Sequence, residues 1–334
     1  MAPASGRGTT PAHGSETSAE DGALGRHAGR PGEIPGRGWL AVLRRVANDA
    51  ISDEAGAAAA SCGFYALLAL FPTISVAISL YGLVADPLAV EGQLEGLRGV
   101  LPTSTYELIA ARVRELAAKG PTELSWGLAL GLPVALWSAM NGAKSIIAAL
   151  NVAYQERERR SFLNLNLVAL LFTLGGIVGV AVALAVIVGV PAALPFTWLG
   201  PLASAAVRAC SFALLLGFTV VALAVLYRFA PSRAEAKWRW ITPGSLLAAG
   251  LWLLTSLTFS FYVSNFGSYD AYYGTLGGVV VALLWFYISA YAVILGAELN
   301  AELELQTRRD TTAADPARPM GERGAFVADH VAAG

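Results

Sequence analysis

The sequence predicts an all-α fold: a polytopic membrane bundle of six transmembrane helices, with an amphipathic helix added in the first outer loop. Three observations predict it. Of 334 residues, 55% are hydrophobic and only 14% charged, with mean hydropathy +0.56, whereas soluble domains carry roughly 25% charged residues. Charge is missing from long unbroken runs. The loops between those runs alternate between many and few Lys and Arg.

The charge-free runs are Ala55 to Ala85, Leu124 to Ala143, Ser161 to Val207, Ala209 to Tyr227, Ile241 to Tyr269 and Ala271 to Ala297. A spanning helix needs about 20 mostly apolar residues. The run from Ser161 is about twice that long and is interrupted by Pro191, Pro195, Gly200 and Pro201, so it holds two spans and a turn. The predicted spans are 57–84, 125–150, 164–190, 203–228, 241–264 and 275–299. These runs show almost no polar face to water, which argues against six buried helices of a soluble core.

The flanking segments differ in composition. Residues 1–36 are rich in Gly, Pro, Ala, Ser, Thr and Arg, and read as a disordered N-terminal tail without the apolar run of a signal peptide. Residues 307–334 read as a second disordered tail, leaving 37–306 as the membrane domain. Within 38–52, Leu43, Val46 and Ala50 oppose Arg44, Arg45 and Asp49, the pattern of an interfacial helix leading into the first span. In the first outer loop, the capping box Ser104-Thr105-Tyr106-Glu107 opens a short helix with Ile109, Val113 and Leu116 on one face, closed by Gly120-Pro121.

Orientation follows from basic residues. Arg157, Arg159 and Arg160 lie in one loop, and Arg228, Arg233, Lys237 and Arg239 in another. The flanks carry Arg37, Arg44, Arg45, Arg308 and Arg309, while loops 191–202 and 265–274 carry no Lys or Arg. The positive-inside rule then places both termini in the cytoplasm of a plasma (inner) membrane. The loop 85–123, with Arg98, Arg112, Arg114 and Lys119, is the exception.

An ordered series of residues resembles the YihY/BrkB family of bacterial inner-membrane proteins, once labelled ribonuclease BN. The series runs from Phe71-Pro72, which breaks the first span, through Trp137-Ser138, Asn151, Tyr154, Leu226-Tyr227-Arg228-Phe229-Ala230-Pro231, Pro243-Gly244 and Trp252. It continues with Phe259, Tyr262, Tyr269, Tyr273-Gly274-Thr275-Leu276-Gly277, Leu284-Trp285-Phe286-Tyr287 and Gly296-Ala297-Glu298-Leu299-Asn300. The resemblance covers about residues 40–305; Phe286 stands where the family more often has an aliphatic residue. It implies six spans with both termini inside. Members have also been called serum-resistance factors and exporters.

Chemistry is sparse. Net charge is −1, which offers no basic stripe for nucleic acid. His13, His27 and His330 lie in the tails, so neither a metal-activated water nor a histidine acid–base pair is available for ribonuclease chemistry in the membrane domain. No phosphate loop or nucleophile elbow occurs. The expectation is a non-enzyme with no cofactor and no metal. Cys62 and Cys210, both in apolar runs, read as small buried packing residues.

The candidate substrate-binding residues are intramembrane and interfacial polar groups: Ser138, Asn141, Lys144, Ser145, Asp270, Tyr273 and Glu298. Ser138, Asn141 and Ser145 share a helix face, and Lys144 is a cation inside a span and away from its end. Each has a bland alternative: hydrogen-bond glue between helices for the stripe, a snorkelling stem for Lys144, and an ion pair with Lys144 or a loop arginine for Glu298. Asp270 among Tyr269, Tyr272 and Tyr273 either satisfies loop amides or contacts a polar ligand at a cavity mouth. Gly127/Gly131 and Gly175/Gly179 are small-residue pairs suited to close helix contact. Two functional expectations follow: a transporter, exporter or flippase-like handler of a lipid-like or amphipathic molecule, or a scaffold in an envelope complex. The expected partners are membrane lipids and a lipid-like substrate.

Overall fold

The structure of the chain is a computed structural model; it describes residues 20–51, 53–84, 121–184, 186, 201–266 and 276–332. Among these, a 15-residue helix α1 (Gly36–Ala50) precedes six long ones: α2 (Asp53–Val84), α3 (Pro121–Ala153), α4 (Phe162–Leu184), α5 (Pro201–Phe229), α6 (Trp238–Phe266) and α7 (Leu276–Gln306). A single turn, α8 (Phe326–Asp329), closes the chain. The described residues contain no strand, only one isolated bridge between Ala236 and Thr312.

Five of these helices (α2, α4, α5, α6 and α7) are long and apolar enough to cross a membrane, and between 6% and 22% of their apolar windows is buried within the protein. A soluble core helix would bury its apolar residues; these expose them. On α2, Phe64, Leu68 and Phe71 make such an outward stripe. Hydroxyls in the spans return to the i−4 carbonyl: Thr173 to Ala169 at 2.8 Å, Thr219 to Leu215 at 2.9 Å and Thr255 to Leu251 at 2.7 Å. Lipid has no water to satisfy them, so each does so on its own helix. The chain is therefore a multi-pass membrane helix bundle. The sixth long helix, α3, carries the polar stripe, which lowers its mean apolarity.

Pro72, expected to break the first span, lies inside a continuous α2, and Pro133 and Pro243 likewise lie inside α3 and α6.

α2 packs most extensively on α3, and α7 runs against both α6 and α2. The tightest approach is between α6 and α7 at two glycines. A Cβ on Gly244 would collide with the Gly296 carbonyl and lie 2.5 Å from the Asn300 amide; one on Gly296 would meet the Gly244 carbonyl at 2.5 Å and the Tyr227 hydroxyl. Tyr227 donates to the Val293 carbonyl (2.7 Å), and Gly244 N–H donates to Asn300 Oδ1 (2.8 Å), so the crossing is also hydrogen-bonded. The pairs picked out by spacing are looser. Gly175 has open space around it, Gly131 lies at van der Waals distance from Val76, and Gly179 from Phe218. The surroundings of Gly127 lie outside the described set.

The buried core gathers at one end of the bundle, the basal end, which carries loops 154–161 and 230–237 and both described tails. Ile147, Leu150, Tyr154, Tyr227, Ile241 and Leu305 form its centre. Here the structure departs from the expected disorder. Residues 20–35 fold over α1, with Leu24 O against Gly38. Residues 307–332 fold onto the loop between α5 and α6. Lys237 N donates to Thr311 O at 2.8 Å, Ala313 N to Glu235 O at 2.7 Å, and Ala332 N to Leu305 O at 2.9 Å. Arg323 donates to the carbonyls of Arg308, Arg309 and Ala328. Composition measures whether a segment builds its own core; these segments borrow one from the helix ends.

α1 is amphipathic as expected, but its buried face is Gly38, Val42 and Val46, while Leu43 is exposed. Cys62 is buried and Cys210 is exposed, so the packing expectation holds for the first alone; both are free thiols. The outer-loop helix expected at 104–119 lies outside the described residues.

Candidate functional site

The polar residues of α3 meet α2 in an open groove of about 420 Å³, within the range of ligand pockets, about 300–1,000 Å³. Ala58, Ser61 and Tyr65 of α2 form one wall, at spacings of three and four that put them on one helix face. The other wall is Asn141, Lys144, Ser145, Ala148, Ala149 and Val152 of α3, again a single face. Alanine, serine and Gly142 keep the helices close; a Cβ on Gly142 would lie 3.7 Å from Tyr65 Cβ. The two walls are joined by the Ser61 and Ser145 hydroxyls, 3.2 Å apart.

Among the described residues, neither the Asn141 amide nor the Lys144 ammonium has a hydrogen-bond or ion-pair partner, and both are partly exposed to the groove. Helix α3 continues nine residues beyond Lys144, to Ala153, or about 14 Å at 1.5 Å per residue. The Lys144 backbone therefore sits well inside the helix and away from its end. A cation within a span costs about 2.5–3.5 kcal/mol at the bilayer centre on insertion scales. Among the described residues, the groove lining supplies hydroxyl and amide groups but no carboxylate.

The other sequence-derived candidates separate. Ser138 is 1% exposed and does not line the groove. Glu298 is buried on α7 beside Asp49 and Glu302, and among the described residues it pairs with neither Lys144 nor an arginine. The arginine pairings fall further along the same helix: Arg45 pairs with Glu302, and Arg233 with Glu304 at 2.6 Å. Asp270 and Tyr273 lie outside the described residues. Ser61 and Tyr65 were missed because α2 reads as an apolar span; their i, i+4 polar pairing was the available signal.

The arginine-rich loops are built structures. Arg160 pairs with Glu158 at 2.8 Å, and this contact holds the Glu158 carboxyl down at about 2, helped by the Arg160 amide and Asn151. Asn151 also accepts from Ser232 N at 2.7 Å, tying the two loops together. Burial pushes the Glu156 carboxyl up, opposed by the Phe326 amide that donates to it. Among the described residues no group of three or more His, Cys, Asp or Glu is placed to hold a metal ion.

Residues 45–320 match the family model described as Virulence factor BrkB. The chain belongs to that family. It is 31% identical over 276 residues to YfkH of Bacillus subtilis, named as a ribonuclease-like protein, covering 79% of this chain and 95% of that one. It is 26% identical over 281 residues to a UPF0761 membrane protein of Pseudoalteromonas translucida, covering 82% and 88% of the two chains. A UPF0761 membrane protein of Photobacterium profundum is 28% identical over 283 residues, covering 82% of each. No solved structure matches. The family region takes in α2 to α7 and the C-terminal segment as far as residue 320; the rest of the basal cap that the two folded tail segments form, residues 20–35 and 321–332, lies outside it.

Proposed function

We propose that this BrkB-family protein binds a lipid-like molecule with an anionic headgroup in the α2/α3 groove and moves it within or out of the membrane, as a transporter, exporter or flippase-like protein. The observation that carries this is the pairing of Asn141 and Lys144, both without protein partners among the described residues, in a groove of about 420 Å³ on a helix of membrane length. A phosphate or carboxylate would supply the missing counter-charge, and the Ser61 and Ser145 hydroxyls the hydrogen bonds. The acyl portion would lie along the exposed apolar faces of the neighbouring helices. This reading takes six spans, with both termini in the cytoplasm of the plasma (inner) membrane, as the loop arginines favour. It assigns no reaction to the groove, which holds neither a histidine nor a carboxylate in its lining.

The test is native mass spectrometry of the protein drawn gently from its own membrane, comparing wild type with Lys144→Ala and Lys144→Arg. One lipid class bound above its membrane abundance, lost in Lys144→Ala and regained in Lys144→Arg, supports the reading. Bound lipid that mirrors the bulk membrane in all three overturns it. The folded basal cap favours a second reading, a scaffold or regulatory subunit. A stoichiometric protein partner that persists in Lys144→Ala would move that reading ahead.

A further inference from the structure

α1 has two usable faces, and the fold spends only one. Gly38, Val42 and Val46 point inward, in a buried cluster with Trp240, Leu299 and Leu303. On the opposite side Leu40 is 70% exposed, Leu43 49% and, just past the helix end, Ile51 85%. Leu40, Leu43 and Ala47 follow spacings of three and four and form one stripe. Arg37 and Arg44, one turn either side of Leu40, are exposed along its edge.

The basic residues of α1 are not equivalent. Arg45 is committed to Glu302 and donates to Gln306 Oε1 at 2.7 Å. Arg37 and Arg44 have no hydrogen-bond or ion-pair partner among the described residues. The helix thus presents an apolar stripe bordered by two uncompensated positive charges, directly ahead of α2. On α2, Phe64 and Phe71 are exposed as well. An interfacial helix of this make-up sinks its apolar face about 5–10 Å into the headgroup boundary and draws anionic lipid with its arginines.

We propose that the outer face of α1 is a docking surface for anionic phospholipid headgroups, with Leu40, Leu43 and Ile51 seated among the acyl chain roots and Arg37 and Arg44 on the phosphates. This surface is independent of the α2/α3 groove. Near an anionic surface each arginine changes the seated-to-unseated ratio about fivefold, and raised salt screens the effect.

The experiment uses the full chain with Cys62→Ala, Cys210→Ala and Leu43→Cys, spin-labelled at position 43 and reconstituted in vesicles of phosphatidylcholine alone or with phosphatidylglycerol. Relaxation by lipid-dissolved oxygen and by a water-soluble nickel chelate reports where the label sits. The expected result is a label open to oxygen and shielded from the chelate in phosphatidylglycerol vesicles, with that preference reduced more than tenfold by Arg37→Glu/Arg44→Glu and weakened by salt in the parent. Both arginines are exposed and unpaired, so these substitutions leave the fold intact, and unchanged thermal unfolding checks this. A label open to the chelate in both vesicle types overturns the proposal. So does a label shielded from both relaxants, which would mean protein covers the face, and so does a lipid preference indifferent to the arginines and to salt.

Discussion

Replacing Glu304 by alanine would leave the Arg233 guanidinium buried without its carboxylate. In the folded chain the two side chains are 2% and 0% exposed and 2.6 Å apart. Arg233 also stacks over the Tyr154 ring at 4.7 Å, and Thr311 donates to the same carboxylate at 2.7 Å. Removing one partner of a buried pair costs about 3–5 kcal/mol, because the remaining charge stays out of water. Loss of the Thr311 bond adds about 1 kcal/mol. Even the lower figure is more than a hundredfold in an opening equilibrium, at tenfold per 1.4 kcal/mol. Thr311 belongs to the folded C-terminal segment, so the opening should appear there first. Arg323, whose side chain is 4% exposed, makes a convenient reporter. When opening is fast, trypsin cleavage after Arg323 tracks the open population, and Glu304→Ala should raise its rate by two orders of magnitude. Arg233→Met/Glu304→Met should recover much of the loss, since two apolar groups leave no orphan charge. Cleavage after Arg323 as slow in Glu304→Ala as in wild type, with an unchanged unfolding midpoint, would refute the claim that this pair clamps the cap.

Three other outcomes follow. Gly296→Val sets a branched side chain into the Gly244 carbonyl and Ala248 Cβ, at 2.5 and 2.7 Å from a Cβ; overpacking should cost at least about 1–3 kcal/mol, while Gly175→Val, in open space, leaves the denaturation midpoint in mixed micelles unchanged. The Glu158 carboxyl is held at about 2, below its ordinary value, so its contribution is full above about pH 4.5 and is lost as pH falls toward 2; acid titration of Glu158→Gln should lack that part of the fall. Glu156 is shifted the other way by burial, so its neutral form is favoured in the fold and its contribution fades as pH rises from its ordinary value through its raised folded-state value; Glu156→Gln, which keeps an acceptor for the Phe326 amide, should flatten that decline in midpoint.

The sequence by itself determined the class and the positions of the long helices. Lipid imposes one-dimensional rules: a helix must be apolar over a set length and must satisfy its own backbone. Composition along the chain reads such rules directly, and each of the helices α2 to α7 is built around a charge-free run. The α3 half of the groove was legible for the same reason, since Asn141, Lys144 and Ser145 share one face of one helix. The other half was not. Ser61 and Tyr65 join them because α2 packs on α3, and no local pattern states which helix packs on which. Pairings behaved likewise: Glu298 was the visible acid, yet Arg45 and Arg233 chose Glu302 and Glu304. Helix rotation decides which acid faces which arginine, and small residues such as Gly244 and Gly296 decide that rotation through contact. The order of residues 20–35 and 307–332 was not legible because it depends on a surface they do not encode. Their own residues are too polar to collapse, and they fold only where Leu305, Tyr154 and the α5–α6 loop already provide a core.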